Sequence, residues 1–274
     1  MTKGQIADPQ ARSLEAVLVV VAFHPGAGEV ERLSACLRTL PAEIGYAVVA
    51  NDFRQGEEVE ALAPGSLLFV RNQSNPGYGR AINQAVSCLR EVGIRPPFLG
   101  ALNTDLAWKP HTFETLLEAM RKDPTLMLTV PQLLDPQGRV QHLCKRNPTV
   151  LGLFSRRFLP EKLKPRWLRN YDSIYAMEDL NYRSPFSAPY LSGCCMMIRR
   201  DAFDSVGGFD ERFFLYLEDA DLTRSLYRLG RTMHWPEAEV IHHWGRGNHR
   251  SLRLTMVNLQ SAYLYFSKWG WQLW

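Results

Sequence analysis

The chain has 274 residues, of which 46% are hydrophobic and 22% charged, and a formal net charge of +4. This is the composition of an ordinary globular protein with room for one large α/β domain or two small ones, and it excludes a disordered chain. No basic stripe or aromatic platform stands out, so nucleic acid is not an expected partner.

The five cysteines are odd in number and lack paired spacing, which argues against a disulfide framework or structural zinc and for a reducing, cytoplasmic compartment. Residues 1–15 read as a polar tail. The apolar run at 17–23 is too short to cross a bilayer or act as a secretory signal, so any membrane contact is expected to be peripheral.

Residues 17–23 form a continuous β-branched run that ends at His24-Pro25-Gly26, as expected for a buried parallel strand and its loop. A helix follows, marked by Val30, Leu33, Leu37 and Leu40. Further strands lie at 46–50, ending in Asn51-Asp52, and at 67–70. This rhythm predicts a Rossmann-like, doubly wound sheet flanked by helices, with its ligand crevice at the carboxyl ends of the strands, where His24 and Asn51 sit.

Next comes Asn75-Pro76-Gly77-Tyr78-Gly79-Arg80-Ala81-Ile82-Asn83, leading into an amphipathic helix. Two glycines at a helix start let backbone approach a ligand and leave N–H groups for an anion, although a tight helix entry would look the same. A strand at 98–102 ends in Asn103-Thr104-Asp105, which places a carboxylate where a divalent cation could be held. Pro110 opens a helix with Phe113, Leu116, Leu117 and Met120 inward.

Residues 127–143 read as a hairpin on the sheet edge, turning at Asp135-Pro136-Gln137-Gly138. From 145 to 189 periodicity fades, and a long irregular segment with short helices is expected on the acceptor side. Basic clusters here, Arg156-Arg157 and those between Lys162 and Arg169, read as a solvated face or as a patch for an anionic surface. A strand at 190–198 carries Gly193, a point of close approach. Asp201 is expected to cap a short helix at 202–206.

The stretch 207–222 crowds Asp210, Glu211, Glu218, Asp219 and Asp221 among Phe213, Phe214, Leu215, Tyr216 and Leu217. Carboxylates in such company are partly desolvated, which makes at least one a candidate base. Leu222, Leu226 and Leu229 put Glu218 to Asp221 in a first helical turn. Acidic residues also favour any helix N-terminus. Adjacent His242 and His243 follow a last strand and are candidate ligands.

In their order these motifs resemble family 2 glycosyltransferases, whose fold is GT-A. The resemblance rests on Ala22-Phe23-His24-Pro25, Asn75-x-Gly77-Tyr78-Gly79-x-x-x-Asn83, Leu102-Asn103-x-Asp105 and Gly207-Gly208-Phe209-Asp210-Glu211-x-Phe213. Glu218-Asp219-x-Asp221-Leu222-x-Arg224 and His242-x-x-Gly245 complete it. The ending, Ser261-Ala262-Tyr263-Leu264-Tyr265-Phe266-x-Lys268-Trp269-Gly270-Trp271, resembles that of bacterial rhamnosyltransferases that build O-antigen. It also reads as an amphipathic helix lying on the core or on a membrane.

The resemblance implies a GT-A domain over 16–250, with a nucleotide-sugar half at about 16–110 and an acceptor half at about 111–250, then an aromatic helix at 251–274. It implies inverting transfer of a sugar, with dTDP-rhamnose the leading donor and UDP- or GDP-sugars the alternatives, to a glycan or lipid-linked glycan. It further implies peripheral work at the cytoplasmic face of the inner membrane. Asp219 would be the base, steadied by Glu218 or Asp221; Asp105 and His242 would hold Mg²⁺ or Mn²⁺. Phe23, His24, Asn51, Asn75, Gly77, Gly79, Arg80, Asn83, Asn103, Thr104 and Arg224 would serve the donor, and Gly193, Asp221 and His243 the acceptor. The acid that usually reads the base is replaced by Asn51 or shifted to Asp52, and the Asp-x-Asp pair is reduced to Asp105. A non-catalytic module on the same fold is the competing reading.

Overall fold

The computed structural model describes residues 14–243 and 252–274. Most of the expected polar tail, and Gly245 of the last motif, lie outside the described residues.

Four parallel strands open the chain: β1 (Ala16–Ala22), β2 (Ile44–Ala50), β3 (Leu68–Arg71) and β4 (Phe98–Asn103). β1 is buried along its whole length, which is why it reads as an unbroken apolar run rather than an alternating one. The remaining strands are β5 (Leu106–Trp108), β6 (Leu126–Leu134), β7 (Phe186–Ser187), β8 (Cys195–Arg199) and β9 (Arg231–His242). The sheet order is β3-β2-β1-β4-β8-β6-β9-β5, with β7 pairing β9. Antiparallel pairing of β8 with β4 and β6 makes the sheet mixed, and the crevice lies where β1, β2 and β4 end together.

Helices cover both faces. α1 (Ala27–Leu37) and α3 (Thr112–Lys122) bury Val30, Leu33, Phe113 and Leu116 on one face. α2 (Tyr78–Glu91), α6 (Arg200–Ser205) and α7 (Glu218–Tyr227) bury Ile82, Ala85, Phe203 and Leu222 on the other. The segment expected to be irregular contains α4 (Val150–Phe158) and α5 (Arg166–Tyr175), joined through a Ser155 Oγ–Asp172 Oδ1 bond of 2.5 Å and a Lys164–Asp172 ion pair of 2.6 Å. The last helix, α8 (Leu252–Trp269), packs Tyr265 and Phe266 on Phe213, Leu217 and Ala220.

Several expectations are corrected. The hairpin at 127–143 is cut short and is not at an edge: the chain turns at 135–138 and returns antiparallel, but it meets β6 through a single bridge, Leu134 to Val140, and β6 itself is central, pairing β8 and β9. β8 begins at Cys195 rather than 190, because the Gly193 N–H is drawn to α7. Asp201 lies inside the first turn of α6 behind an Arg199 cap and makes no capping bond. Leu229 falls beyond α7 and is exposed, and His242 belongs to β9 instead of following it.

Candidate active site

At the strand ends, His24 and Asp52 both adopt left-handed backbone, φ 49° and 52°. His24 Nε2 lies 3.0 Å from Asp52 Oδ2 and Nδ1 2.6 Å from Glu57 Oε1. The bond to Asp52, aided by Glu57, raises the His24 pKa against the opposing effect of burial, and Asp52 is lowered by the same bond. Phe23 is exposed beside His24, with ring centroids 4.5 Å apart.

Asn51 is buried and committed to the interior. Its Oδ1 accepts from Asn72 Nδ2 at 2.9 Å, and its Nδ2 donates to Asn75 Oδ1, which also accepts the Gly77 N–H at 2.9 Å. Of the two alternatives at the end of β2, Asp52 is the carboxylate that faces outward.

The motif that opens α2 lies against another part of the chain. A Cβ at Gly77, whose φ is 100°, would lie 2.3 Å from the Phe214 carbonyl oxygen, and one at Gly79 would lie 2.7 Å from Phe209 Cβ. The glycines admit the chain's own 209–214 segment. Asn83 binds that segment three times, accepting the Phe209 N–H at 3.0 Å and donating to the Phe209 carbonyl at 2.8 Å and to Glu211 Oε1 at 3.1 Å. Arg80 lies 3.2 Å from Glu211 on the outer side of α2, where a groove runs past Asn72, Pro76, Asn83 and Gln84. Gly77, Gly79, Arg80 and Asn83 therefore clamp the acidic stretch onto α2.

β5 pairs with β9 so that Leu106 opposes His242, which brings together two residues remote in sequence. His242 Nε2 lies 3.3 Å from Asp105 Oδ2, and Nδ1 lies 2.8 Å from Gln141 Oε1. The His243 N–H donates to the Asp105 carbonyl at 2.8 Å, and burial together with Arg32 lowers the His243 side chain's pKa. Asp105 Oδ1 is buried and has no hydrogen-bond partner. An orphaned carboxylate oxygen beside an imidazole nitrogen fits a divalent cation that completes its shell from a diphosphate and water. No group of three or more His, Cys, Asp or Glu poised for a metal occurs among the described residues. The Asn103 N–H bonds the Cys194 carbonyl, and Thr104 bonds Glu29 of α1, a residue with no sequence signal of its own.

The five carboxylates of the acidic stretch separate by partner. Asp210 pairs with Arg212 at 2.6 Å and Lys268 at 3.2 Å; Arg212 first, with Lys268, holds its carboxyl well below the usual range. Glu211 pairs with Arg80. Asp221, expected on the acceptor side, accepts Trp269 Nε1 at 2.6 Å and Lys268 Nζ at 2.8 Å, fastening α8 to α7. Arg224 is likewise turned to α8, donating to the Tyr265 hydroxyl at 3.1 Å and lying 4.6 Å from the Trp269 ring centroid.

Glu218 and Asp219 remain. They follow consecutive left-handed residues, Tyr216 and Leu217, φ 70° and 63°, a costly turn secured by burial of Leu217 and by Ser261 Oγ donating to the Leu215 carbonyl at 2.8 Å. Glu218 is buried with Oε2 unpartnered, and burial together with the neighbouring Asp219 pushes its pKa up to about 8. Asp219 Oδ2 accepts the Gly193 N–H at 3.0 Å and Oδ1 accepts the Ala220 N–H at 2.9 Å. A Cβ at Gly193 would stand 3.0 Å from Asp219 Cβ, so its closeness serves Asp219 itself.

The Tyr78 hydroxyl donates to the Gly193 carbonyl at 2.6 Å and so steadies the residue whose N–H holds Asp219. Lys145 also belongs here: burial lowers its pKa against the charge of Asp219, and its ammonium lies 4.3 Å from the Tyr190 ring centroid. Asp105 and Asp219 both lie close enough to Cys194 to add to burial in pushing that thiol up to about 12.

Comparison with known proteins agrees with this geometry. The "Glycosyltransferase like family 2" model matches residues 16–255. An N-acetylglucosaminyl-diphospho-decaprenol L-rhamnosyltransferase of Mycobacterium tuberculosis is 33% identical over 239 residues, 82% of this chain and 75% of that protein. Rhamnosyltransferase WbbL of Escherichia coli is 25% identical over 197 residues, 70% of each. A Pyrobaculum calidifontis mannosyltransferase solved with GDP-Man and Mn²⁺ superposes with a TM-score of 0.58 at 15% identity, over 97% of this chain and 66% of that one. GalNAc-T7 solved with UDP, GalNAc and Mn²⁺ gives 0.60 at 17%, over 86% of this chain and 45% of its own. These solved chains share the GT-A architecture. From the start of β1 to the first turn of α8, in its motifs and in its sheet, the chain belongs to glycosyltransferase family 2.

Proposed function

We propose that the protein is an inverting glycosyltransferase that moves a sugar, with L-rhamnose from dTDP-rhamnose the best-supported donor, onto a hydroxyl of a lipid-linked glycan. The observation that carries the reading is that the Gly193 N–H holds Asp219 while the carbonyl of the next residue, Cys194, accepts the Asn103 N–H from the strand end that bears Asp105. The rhamnosyl donor rests on the two rhamnosyltransferase relatives, and the lipid-linked acceptor on the decaprenol named for one of them. A lipid-linked acceptor would put the reaction at a membrane surface, in this reading its cytoplasmic face. No described helix is long and apolar enough to cross it.

In this mechanism Asp219 takes the proton of the acceptor hydroxyl as its oxygen attacks the anomeric carbon. The bond from that carbon to the diphosphate breaks, and its electron pair leaves with the phosphate. Burial and the neighbouring Asp219 both favour the protonated, neutral form of Glu218. Asp105 and His242 would hold Mg²⁺ or Mn²⁺, which supplies charge to the leaving diphosphate when bound. Phe23 offers a face for the base, and Asp52 with His24 offers polar partners to the nucleoside.

The test is Asp219→Asn, which should retain donor-induced thermal stabilisation while transfer falls by about 10² to 10⁴. Undiminished turnover would remove Asp219 from the base role. Stabilisation of the parent by UDP- or GDP-sugars but not dTDP-rhamnose would reassign the donor.

A further inference from the structure

α4, α8 and the chain end form one continuous layer. The α4 N–H groups of Val150 and Leu151 donate to the carbonyls of Gln272 and Leu273 at 2.9 and 3.0 Å. At its other end Arg157 donates to Thr255 Oγ1 at 2.6 Å. α4 and α8 therefore run side by side in opposite directions, with α5 fastened to α4 through Asp172. The layer is anchored inward by Val150, Leu153, Ala262 and Trp269 packing on Tyr190, Leu217 and Ala220, the last being the neighbour of Asp219.

Its outer side is apolar where a globular surface should be polar. On α8, Leu252, Met256, Leu259 and Tyr263 recur at steps of four, three and four, a stripe opposite the buried Tyr265 and Phe266, and they are 85%, 66%, 46% and 62% exposed. Trp271 packs against Tyr263, with centroids 6.3 Å apart, and Trp274 is exposed beyond it. On α4 and α5, Phe154, Phe158 and Trp167 are exposed, and Leu163 projects from the link between the helices. Apolar patches of this extent mark an interaction surface.

The charge around this patch selects the partner. α8 contains no acidic residue. From 150 to 174 there are six basic residues, Arg156, Arg157, Lys162, Lys164, Arg166 and Arg169, against two acidic ones, Glu161 and Asp172, so this stretch alone carries a charge equal to the whole chain's +4. Asp172 and Lys164 are buried against each other and cancel, so the +4 of this stretch is carried by its exposed residues. Aromatic and aliphatic residues interleaved with Lys and Arg suit an interface of acyl chains and anionic headgroups. A second copy of this surface would instead set basic groups against basic groups.

We infer that the α4–α5–α8 layer is a docking face for an anionic lipid bilayer, which presents the acceptor's reacting sugar to Asp219 while its lipid stays in the membrane. The inference deepens the lipid-linked acceptor reading and rests on it for its purpose.

The test is co-sedimentation of the full chain with phosphatidylcholine vesicles containing or lacking phosphatidylglycerol, beside the variant Lys162→Glu/Arg166→Glu/Arg169→Glu. All three side chains are solvent-facing, so the variant should fold and retain transfer to a water-soluble acceptor with a short alkyl chain. The parent should bind the anionic vesicles and weaken with salt. At about fivefold per basic residue near such a surface, the reversal should cost at least about 100-fold in partition. A parent that stays in the supernatant, or a variant that binds as the parent does, would overturn the inference. So would a parent dimer without vesicle binding that Met256→Glu splits, since a second copy would then cover the stripe. Vesicle binding in a protein that transfers to neither acceptor would uphold the docking face and count against the transferase reading alone.

Discussion

Replacing Lys268 by Met tests how α8 is held to the catalytic turn. Asp221 is 2% exposed, and its two oxygens are satisfied by Trp269 Nε1 at 2.6 Å and Lys268 Nζ at 2.8 Å. The methionine keeps the apolar stem and deletes the charge, leaving a buried carboxylate with one neutral donor. Removing one partner of a fully buried pair costs about 3–5 kcal/mol. The Lys268 side chain is 32% exposed, so water screens the pair and reaches the carboxylate once the amine is gone, which reduces the expected loss to roughly 2–3 kcal/mol. Against a total stability of about 5–15 kcal/mol that is a large fraction. Urea denaturation should show a lower midpoint with an unchanged slope. Adding Asp221→Asn should restore at least ~1 kcal/mol, because the penalty belongs to the stranded charge rather than to the missing amine. A loss below ~0.5 kcal/mol, or a double variant no more stable than the single, would refute this account of how α8 is fastened.

Glu218 should govern part of the pH dependence of stability. Because its pKa is raised, the folded protein holds a proton that the unfolded chain has released between the ordinary glutamate value of 4.5 and about 8; stability therefore falls as pH rises through that window and levels above it. Glu218→Gln should flatten this decline in chemical denaturation, and superposable profiles would exclude Glu218 as its source. Gly77→Ala combines a φ of 100° with a Cβ 2.3 Å from the Phe214 oxygen, and should lower stability by more than ~2 kcal/mol in thermal unfolding. A change under ~0.5 kcal/mol would mean that the 209–214 segment yields freely. Asp105→Ala should abolish the extra thermal stabilisation that Mn²⁺ adds to a nucleotide sugar; equal donor-induced shifts with and without Mn²⁺ in the parent protein would sink the metal assignment.

The chain's own pattern was enough to place β1, β2, β4 and the first turn of α7, because a run such as 17–21 can be buried only within a sheet and Leu222 and Leu226 can share a face only in a helix. It also located the crevice end of the sheet, since Asn51 directly follows β2 and Asp105 lies two residues past β4, strands whose direction the connecting helices dictate. Partner choice was beyond it. Asn83 meets Glu211 across 128 positions, Tyr78 meets Gly193 across 115, and Gln141 meets His242 across 101. No local periodicity encodes such separations.

The tertiary structure therefore decided how five neighbouring carboxylates are partnered: Lys268, Trp269, Arg212 and Arg80 occupy three of them, and Glu218 and Asp219 are the two outside these pairs. It also turned the glycines of the 75–83 motif toward Phe209 and Phe214, and it gave Asp105 a histidine through the pairing of β5 with β9. Burial is a property of one element and is written along it. A hydrogen bond or an ion pair belongs to two elements, and it exists only once packing has set them side by side.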